Sequence, residues 1–244
     1  MAIGPDRRYM TAAQADVTQY DVGLRQYMLR VYNYMAGGVA LTGVVAYAFQ
    51  LALASNTDLL YLVYGTPIKW VLAFAPLAFS LFFSFRVDSM AASTAQTLFW
   101  AFAAVMGLSL AGIFLMFTTE SIAKAFFISA AMFAGMSLYG YTTKRDLSSW
   151  GSFLVMGAWG IILALIVNIF LQSAALGFAV SVIGVLVFTG LAAYYNQQIK
   201  EWYAETDAGE VAAKKAIIGA YLLYVSFINL FIMMLRLFGV ARSE

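Results

Sequence analysis

The hydrophobic pattern divides the chain into seven long apolar runs, at 31–54, 67–85, 94–117, 121–142, 149–172, 174–196 and 215–238. Each run stops at charged or turn-forming residues: Asn56-Thr57-Asp58, Arg86-Val87-Asp88, Thr118-Thr119-Glu120, Lys144-Arg145-Asp146 and the charged stretch 200–215. Only Gln172 and Ser173 separate the fifth run from the sixth. A hydrocarbon core of about 30 Å needs roughly 20 apolar residues per helix, whereas a barrel strand needs about 10 in period-two alternation. The runs have helical length and lack that alternation. The pattern therefore predicts seven transmembrane helices. The turns after the third and fifth runs are too short for an extramembrane domain, so each flanking pair is antiparallel. Pro76, inside the second run, removes a backbone donor and predicts a bend.

Residues 1–30 do not read as a signal peptide, because Asp6, Arg7, Arg8, Asp16 and Asp21 interrupt any apolar core. They read as a loose cytoplasmic tail passing into an interfacial stretch, Val22 to Arg30. Residues 31–240 then form one membrane domain without linker, repeat or low-complexity tract. Tyr61, Tyr64, Trp70, Trp150, Trp202 and Tyr203 stand near run ends, where aromatic side chains anchor to the interface. With the N-terminus inside, the inner segments hold Arg7, Arg8, Arg25, Arg30, Arg86, Lys144, Arg145, Lys200, Lys214 and Lys215. The outer ones hold Lys69, Lys124, Arg236 and Arg242. Positive-inside bias thus predicts a cytoplasmic N-terminus and an external C-terminus.

Composition changes the picture by exclusion. With 63% apolar and 11% charged residues among 244, the chain lacks the polar surface of a soluble domain. It has no His and no Cys, which removes Cys/His metal sites, disulfides and Cys or His nucleophiles. A net charge of +2 gives no field for nucleic acid. No phosphate-loop, dinucleotide, nucleophile-elbow or zinc-protease motif occurs, so no cofactor is implied and the chain is read as a non-enzyme.

Ionisable groups within a bilayer are costly and mark function. Here all twelve carboxylates fall in tails, loops or terminal turns, and none falls mid-run. A carboxylate relay across the membrane has no members. The polar residues inside the runs are neutral, notably Asn33, Gln50, Asn168, Asn196, Ser226 and Asn229. Asn168 and Asn229 are read as helix-to-helix contacts, with a polar path as the other reading. Ala36-Gly37-Gly38, Ala134-Gly135, Gly157 with Gly160, and Gly190 are read as close-packing positions. Arg236 and Arg86, near run ends, are read as cations reaching the membrane surface.

The second half carries more specific signals. Tyr141-Thr142-Thr143-Lys144-Arg145-Asp146-Leu147-Ser148-Ser149-Trp150-Gly151 opens the fifth helix, and Val167-Asn168-Ile169-Phe170 closes it. Gly190-Leu191-Ala192-Ala193-Tyr194-Tyr195-Asn196-Gln197-Gln198, Phe227-Ile228-Asn229-Leu230-Phe231 and Leu235-Arg236-Leu237-Phe238-Gly239 follow. Together these resemble the bacterial Bax inhibitor-1 (transmembrane Bax inhibitor motif) family over residues 20–240, most densely over 139–239. The resemblance implies a bundle with its last helix central. It also implies a pH-sensitive calcium leak, sensed by two aspartates sharing a proton and latched by an arginine of the second helix. Two adjacent carboxylates cannot both ionise cheaply, which is the physical basis of such a sensor.

In this chain Tyr195 and Ser226 stand at the two aspartate positions, and Arg86 is the latch candidate. Neither Tyr nor Ser titrates near pH 7. The resemblance thus implies a calcium or other cation leak in the bacterial inner membrane with altered or lost pH gating. The alternative is a non-conducting regulator that binds a membrane protease or another membrane protein through the 200–215 segment and the N-terminal tail.

Overall fold

A computed structural model of the chain describes residues 12–207 and 209–242, the side chains of 12–20 excepted. Asp6, Arg7 and Arg8 of the tail, and Glu244, lie outside the described residues. The helices are α1 (Ala12–Ser55), α2 (Thr57–Tyr64), α3 (Ile68–Arg86), α4 (Ala92–Leu110), α5 (Ile113–Met116), α6 (Thr119–Thr142), α7 (Ser148–Leu171), α8 (Ala174–Glu201) and α9 (Gly209–Phe238). Seven segments are long and apolar enough to cross a membrane, in register with the seven runs of the sequence. The protein is an all-α integral membrane bundle.

Helix α9 occupies the centre. It packs against α1, α4, α6 and α8, and 72% of its most apolar window is buried, against 6% for α7. Its buried residues fall on every side, including Ile217, Tyr221, Leu223, Tyr224, Ile228, Leu230 and Met234. A helix apolar all round is stable only inside a bundle or in lipid. Helix α7 takes the second course: it packs on α8 and leaves Phe153, Met156, Leu163 and Phe170 exposed.

Three boundaries differ from the sequence pattern. Helix α1 runs unbroken through Val22–Arg30, where a loose tail and an interfacial stretch were expected. The reason is an amphipathic stripe: Leu24, Tyr27, Met28 and Val31 are buried at helical spacing while Arg25, Gln26 and Arg30 face outward. At the same end of the bundle, where the Tyr27 and Tyr203 rings lie 5.6 Å apart, α8 continues to Glu201 and α9 begins at Gly209, so Lys200, Lys214 and Lys215 are helical. Their ammonium groups bend away to polar partners. Lys200 donates to the Tyr141 carbonyl at 3.0 Å, and Lys215 to the Trp202 carbonyl at 2.9 Å and the Asp207 carboxylate at 2.7 Å. The third run breaks into α4 and α5 around Ala111 and Gly112.

Short turns close the bundle. Asn56 caps α2, accepting the Leu59 N–H at 3.0 Å. Thr118 and Ser173 cap α6 and α8. The α7–α8 turn rests on Gln172, in the left-handed region at φ 49°. Its N–H reaches the Asn168 carbonyl at 2.8 Å, while the Asn168 side-chain oxygen accepts the Ser173 N–H at 3.0 Å. Beyond α9 the chain turns back, and Val240 donates to Ser121 Oγ at 3.0 Å. Pro76 lies inside a continuous α3, buried against its neighbours.

Candidate functional site

The polar interior is a set of neutral hydrogen bonds tying the outer helices to α8 and α9. Asn196 of α8 is fully buried. Its side-chain oxygen accepts from Tyr32 of α1 at 2.5 Å, and its amide donates to Ser137 of α6 at 2.9 Å and to the Ala192 carbonyl at 2.7 Å. One residue thus joins three helices. The alternation of helical faces explains its place: Ala192, Ala193 and Ile199 pack inward around it, and Gly140 lets α6 approach the α8 backbone at Ala193.

A second set centres on α9. Thr42 donates to the Ala103 carbonyl at 2.9 Å and lies 2.6 Å from the Tyr224 hydroxyl. A hydroxyl has one proton, so Tyr224 is the donor to Thr42, and the order runs from α9 through α1 to α4. One turn away, Tyr221 is hydrogen-bonded to Ser80 of α3 and has its ring 4.5 Å from that of Phe83. These groups bring α3 onto the central helix.

The residues singled out in the sequence are distributed differently. Ser226 is buried, but its hydroxyl donates to the Leu222 carbonyl of its own helix at 2.9 Å. Tyr195 is half-buried with its ring 5.3 Å from that of Tyr194. Among the described residues no hydrogen bond joins Tyr195 to Ser226. Arg86 is exposed at the end of α3, and the ion pairs of the described residues are Lys124–Glu120 and Lys215–Asp207, neither of which includes it.

Asn168 of α7 accepts the N–H of Ser173, the cap of α8, and so ties these two helices across their turn. Asn229 is half-buried and donates to the Val225 carbonyl of its own helix at 2.8 Å. Arg236 is exposed in the last turn of α9, where a cation suits the helix dipole. Of the small residues, Gly37, Gly38, Gly157 and Gly190 do meet neighbouring helices. Gly135 and Gly160 face open space, so the close-packing expectation is corrected there. Tyr32, Thr42, Ser137, Tyr221 and Tyr224 were missed, because a single hydroxyl in an apolar run gives no sign of its partner.

At the end where α6, α8 and α9 meet their loops, Gln197 clamps the α6–α7 loop. It donates to the Arg145 carbonyl and accepts the Leu147 N–H, both at 2.7 Å. Asp146, in that loop, accepts the Ser148 N–H at 2.8 Å, and this backbone hydrogen bond holds its carboxyl below the usual carboxylate range. Among the described residues no group of three His, Cys, Asp or Glu could hold a metal ion.

Comparison with known proteins adds the family. An uncharacterized protein of Rickettsia prowazekii is 45% identical over 224 residues, covering 92% of this chain and 93% of its own. One from Caulobacter vibrioides is 44% identical, covering 97% and 96%. The inner membrane protein YbhL of Escherichia coli K12 is 41% identical, covering 93% and 96%. Residues 24–243 match the family described as inhibitor of apoptosis-promoting Bax1. With the seven-helix bundle and its buried central α9, these matches establish that the chain belongs to the Bax inhibitor-1 family.

Proposed function

We propose that this protein is a cation-leak bundle of the inner membrane, calcium being the first ion to test, whose flux is not switched by a buried acid pair. The observation that carries the reading is the neutral interior. Hydroxyl and amide groups of Tyr32, Asn196, Ser137 and Thr42, together with Tyr221 and Tyr224 of the central helix, make up the polar interior, and the resemblance sets Tyr195 and Ser226 at the positions of the family's aspartates. Calcium favours six to eight oxygen ligands, usually including carboxylates, so neutral oxygens give weak and poorly selective binding. That suits slow passage more than storage. The Lys and Arg distribution supports a cytoplasmic N-terminus and an external C-terminus, and the likeness to YbhL supports the inner membrane.

The test is calcium flux in proteoliposomes at pH 6, 7 and 8, comparing the native protein with the Tyr195→Asp/Ser226→Asp double variant. The reading expects native flux that is flat with pH and variant flux that depends on it. Absence of native flux at every pH refutes conduction.

A further inference from the structure

The bundle is not closed on all sides. Helix α1 packs on α4 and α9, and α6 packs on α8 and α9, which leaves a gap between α1 and α6. A crevice of about 930 Å³ fills that gap, and a second of about 250 Å³ continues it towards the far ends of the same helices. Val39, Gly43, Phe126 and Phe227 line both, so they form one groove whose floor is Phe227 of the central helix.

The lining is divided along its length. Arg25, Tyr32, Ser137 and Tyr141 lie at one end, and from Met35 and Phe133 onward the walls are apolar. Among the described residues that line the larger crevice, Arg25 alone is charged. It is exposed and makes no ion pair among the described residues, although Asp21 lies one turn earlier. Lys200 lies 5.1 Å from the Tyr141 ring and adds a second positive charge beside this end. The stretch from Met35 to Ala46, apolar except for Thr42, whose hydroxyl is engaged by Ala103 and Tyr224, rises about 16 Å along α1, close to the roughly 15 Å of one leaflet's hydrocarbon.

A cationic, hydroxyl-bearing end continuous with an apolar channel one leaflet long is complementary to a lipid with an anionic head. We propose that the α1–α6 groove holds one anionic phospholipid of the surrounding bilayer, its phosphate on Arg25 and an acyl chain along Val39, Gly43 and Phe227. The guanidinium forms charge-assisted hydrogen bonds to phosphate oxygens, and the acyl chain fills the gap between α1 and α6 over Phe227. The lipid thereby touches the residue next to Ser226. The inference stands whether or not the bundle conducts.

The test is native mass spectrometry of the full chain, released from detergent after titration with phosphatidylglycerol or phosphatidylethanolamine of identical acyl chains. The native protein should retain phosphatidylglycerol about fivefold better, the worth of one basic residue near anionic lipid. Arg25→Gln should bring the ratio close to one, whereas Lys124→Gln, at the opposite end of α6, should leave it unchanged. Gly43→Leu should abolish retention of both lipids, since a Cβ at Gly43 enters open space and the side chain fills the groove. Ala134→Leu, on the facing wall, serves the same purpose if that variant does not fold. Equal retention of the two lipids by the native protein, a ratio insensitive to Arg25→Gln, or lipid binding that survives a filled groove overturns the proposal. So does a lipid-free dimer, which would place a second copy in the groove.

Discussion

Asn196 offers the most searching test of the interior. It is fully buried and forms two interhelical hydrogen bonds, from Tyr32 at 2.5 Å and to Ser137 at 2.9 Å, besides one within α8. Interhelical bonds in membrane proteins are worth about 0.6 kcal/mol on average and reach about 1.7. Replacing Asn196 by Leu, of similar size, removes both at once and should destabilise the bundle by about 1–3 kcal/mol. The loss is not larger because Ser137 can turn to a carbonyl of its own helix, and Tyr32 lines the groove and keeps access to its polar end. Reversible unfolding in mixed micelles gives the free energies, and a double-mutant cycle with Tyr32→Phe isolates the pair. The coupling should lie near 0.6–1.7 kcal/mol, positive in the sense that either single change already forfeits the bond. A coupling within about 0.3 kcal/mol of zero would refute the three-helix junction, since independent sites add to that tolerance.

Gln172→Gly should raise stability by up to about 1 kcal/mol, because a side chain in the left-handed region costs about that much and glycine does not; the same unfolding measurement checks it. Gly140→Ala forces a Cβ into the Ala193 backbone and should cost about 1–3 kcal/mol, whereas Gly43→Ala enters open space and should be neutral or stabilising by thermal melt. Arg86→Gln should leave calcium flux and melting temperature nearly unchanged, since Arg86 is exposed and outside both ion pairs; a large rise in flux would show that it latches without an acid partner. The Asp146 carboxyl has its folded pKa lowered by the Ser148 N–H, so its contribution is present above the unfolded value and is lost as pH falls below about 4. The protection of amides at the start of α7 against hydrogen exchange, relative to their intrinsic rates, should therefore fall in acid, and Asp146→Asn should remove that pH dependence.

The legible part of the fold was what the bilayer dictates. Length and apolarity fixed seven helices, because a helix is the structure that satisfies every backbone group in lipid without a closed barrel. The ends were less legible because a run is closed in sequence by its first charge, whereas a helix ends where its backbone loses partners. Lys200 and Lys215 sit inside helices since their stems reach past the apolar zone. The stripe Leu24, Tyr27, Met28 and Val31 was present in the sequence as an i, i+3, i+4, i+7 pattern, but the interspersed Arg25 and Arg30 outweighed it in any average of hydropathy. The central place of α9 followed from family resemblance; periodicity alone does not separate a helix surrounded by protein from one surrounded by lipid, as α9 and α7 demonstrate.

The interior was legible only in its negative. A census of carboxylates predicts a neutral core without knowing any contact, and the described structure has neutral junctions where charge would be expensive. Which neutral groups meet is a property of helix rotation and register, so Asn196 could be named from the sequence while Tyr32 and Ser137, 164 and 59 positions away, could not. The same logic bears on Tyr195 and Ser226, which the resemblance sets at the two aspartate positions. An acid pair sharing a proton must be in contact to function, but a tyrosine and a serine carry no such requirement. Ser226 satisfies its hydroxyl on its own helix, and no hydrogen bond joins it to Tyr195 among the described residues. The bond that remains between α9 and α3 comes instead from Tyr221 to Ser80, a neutral contact one and a half turns from Ser226. Neutral contacts of this kind offer protons near pH 7 nothing to titrate at these junctions, which leaves the open α1–α6 side as a place where helix packing can change.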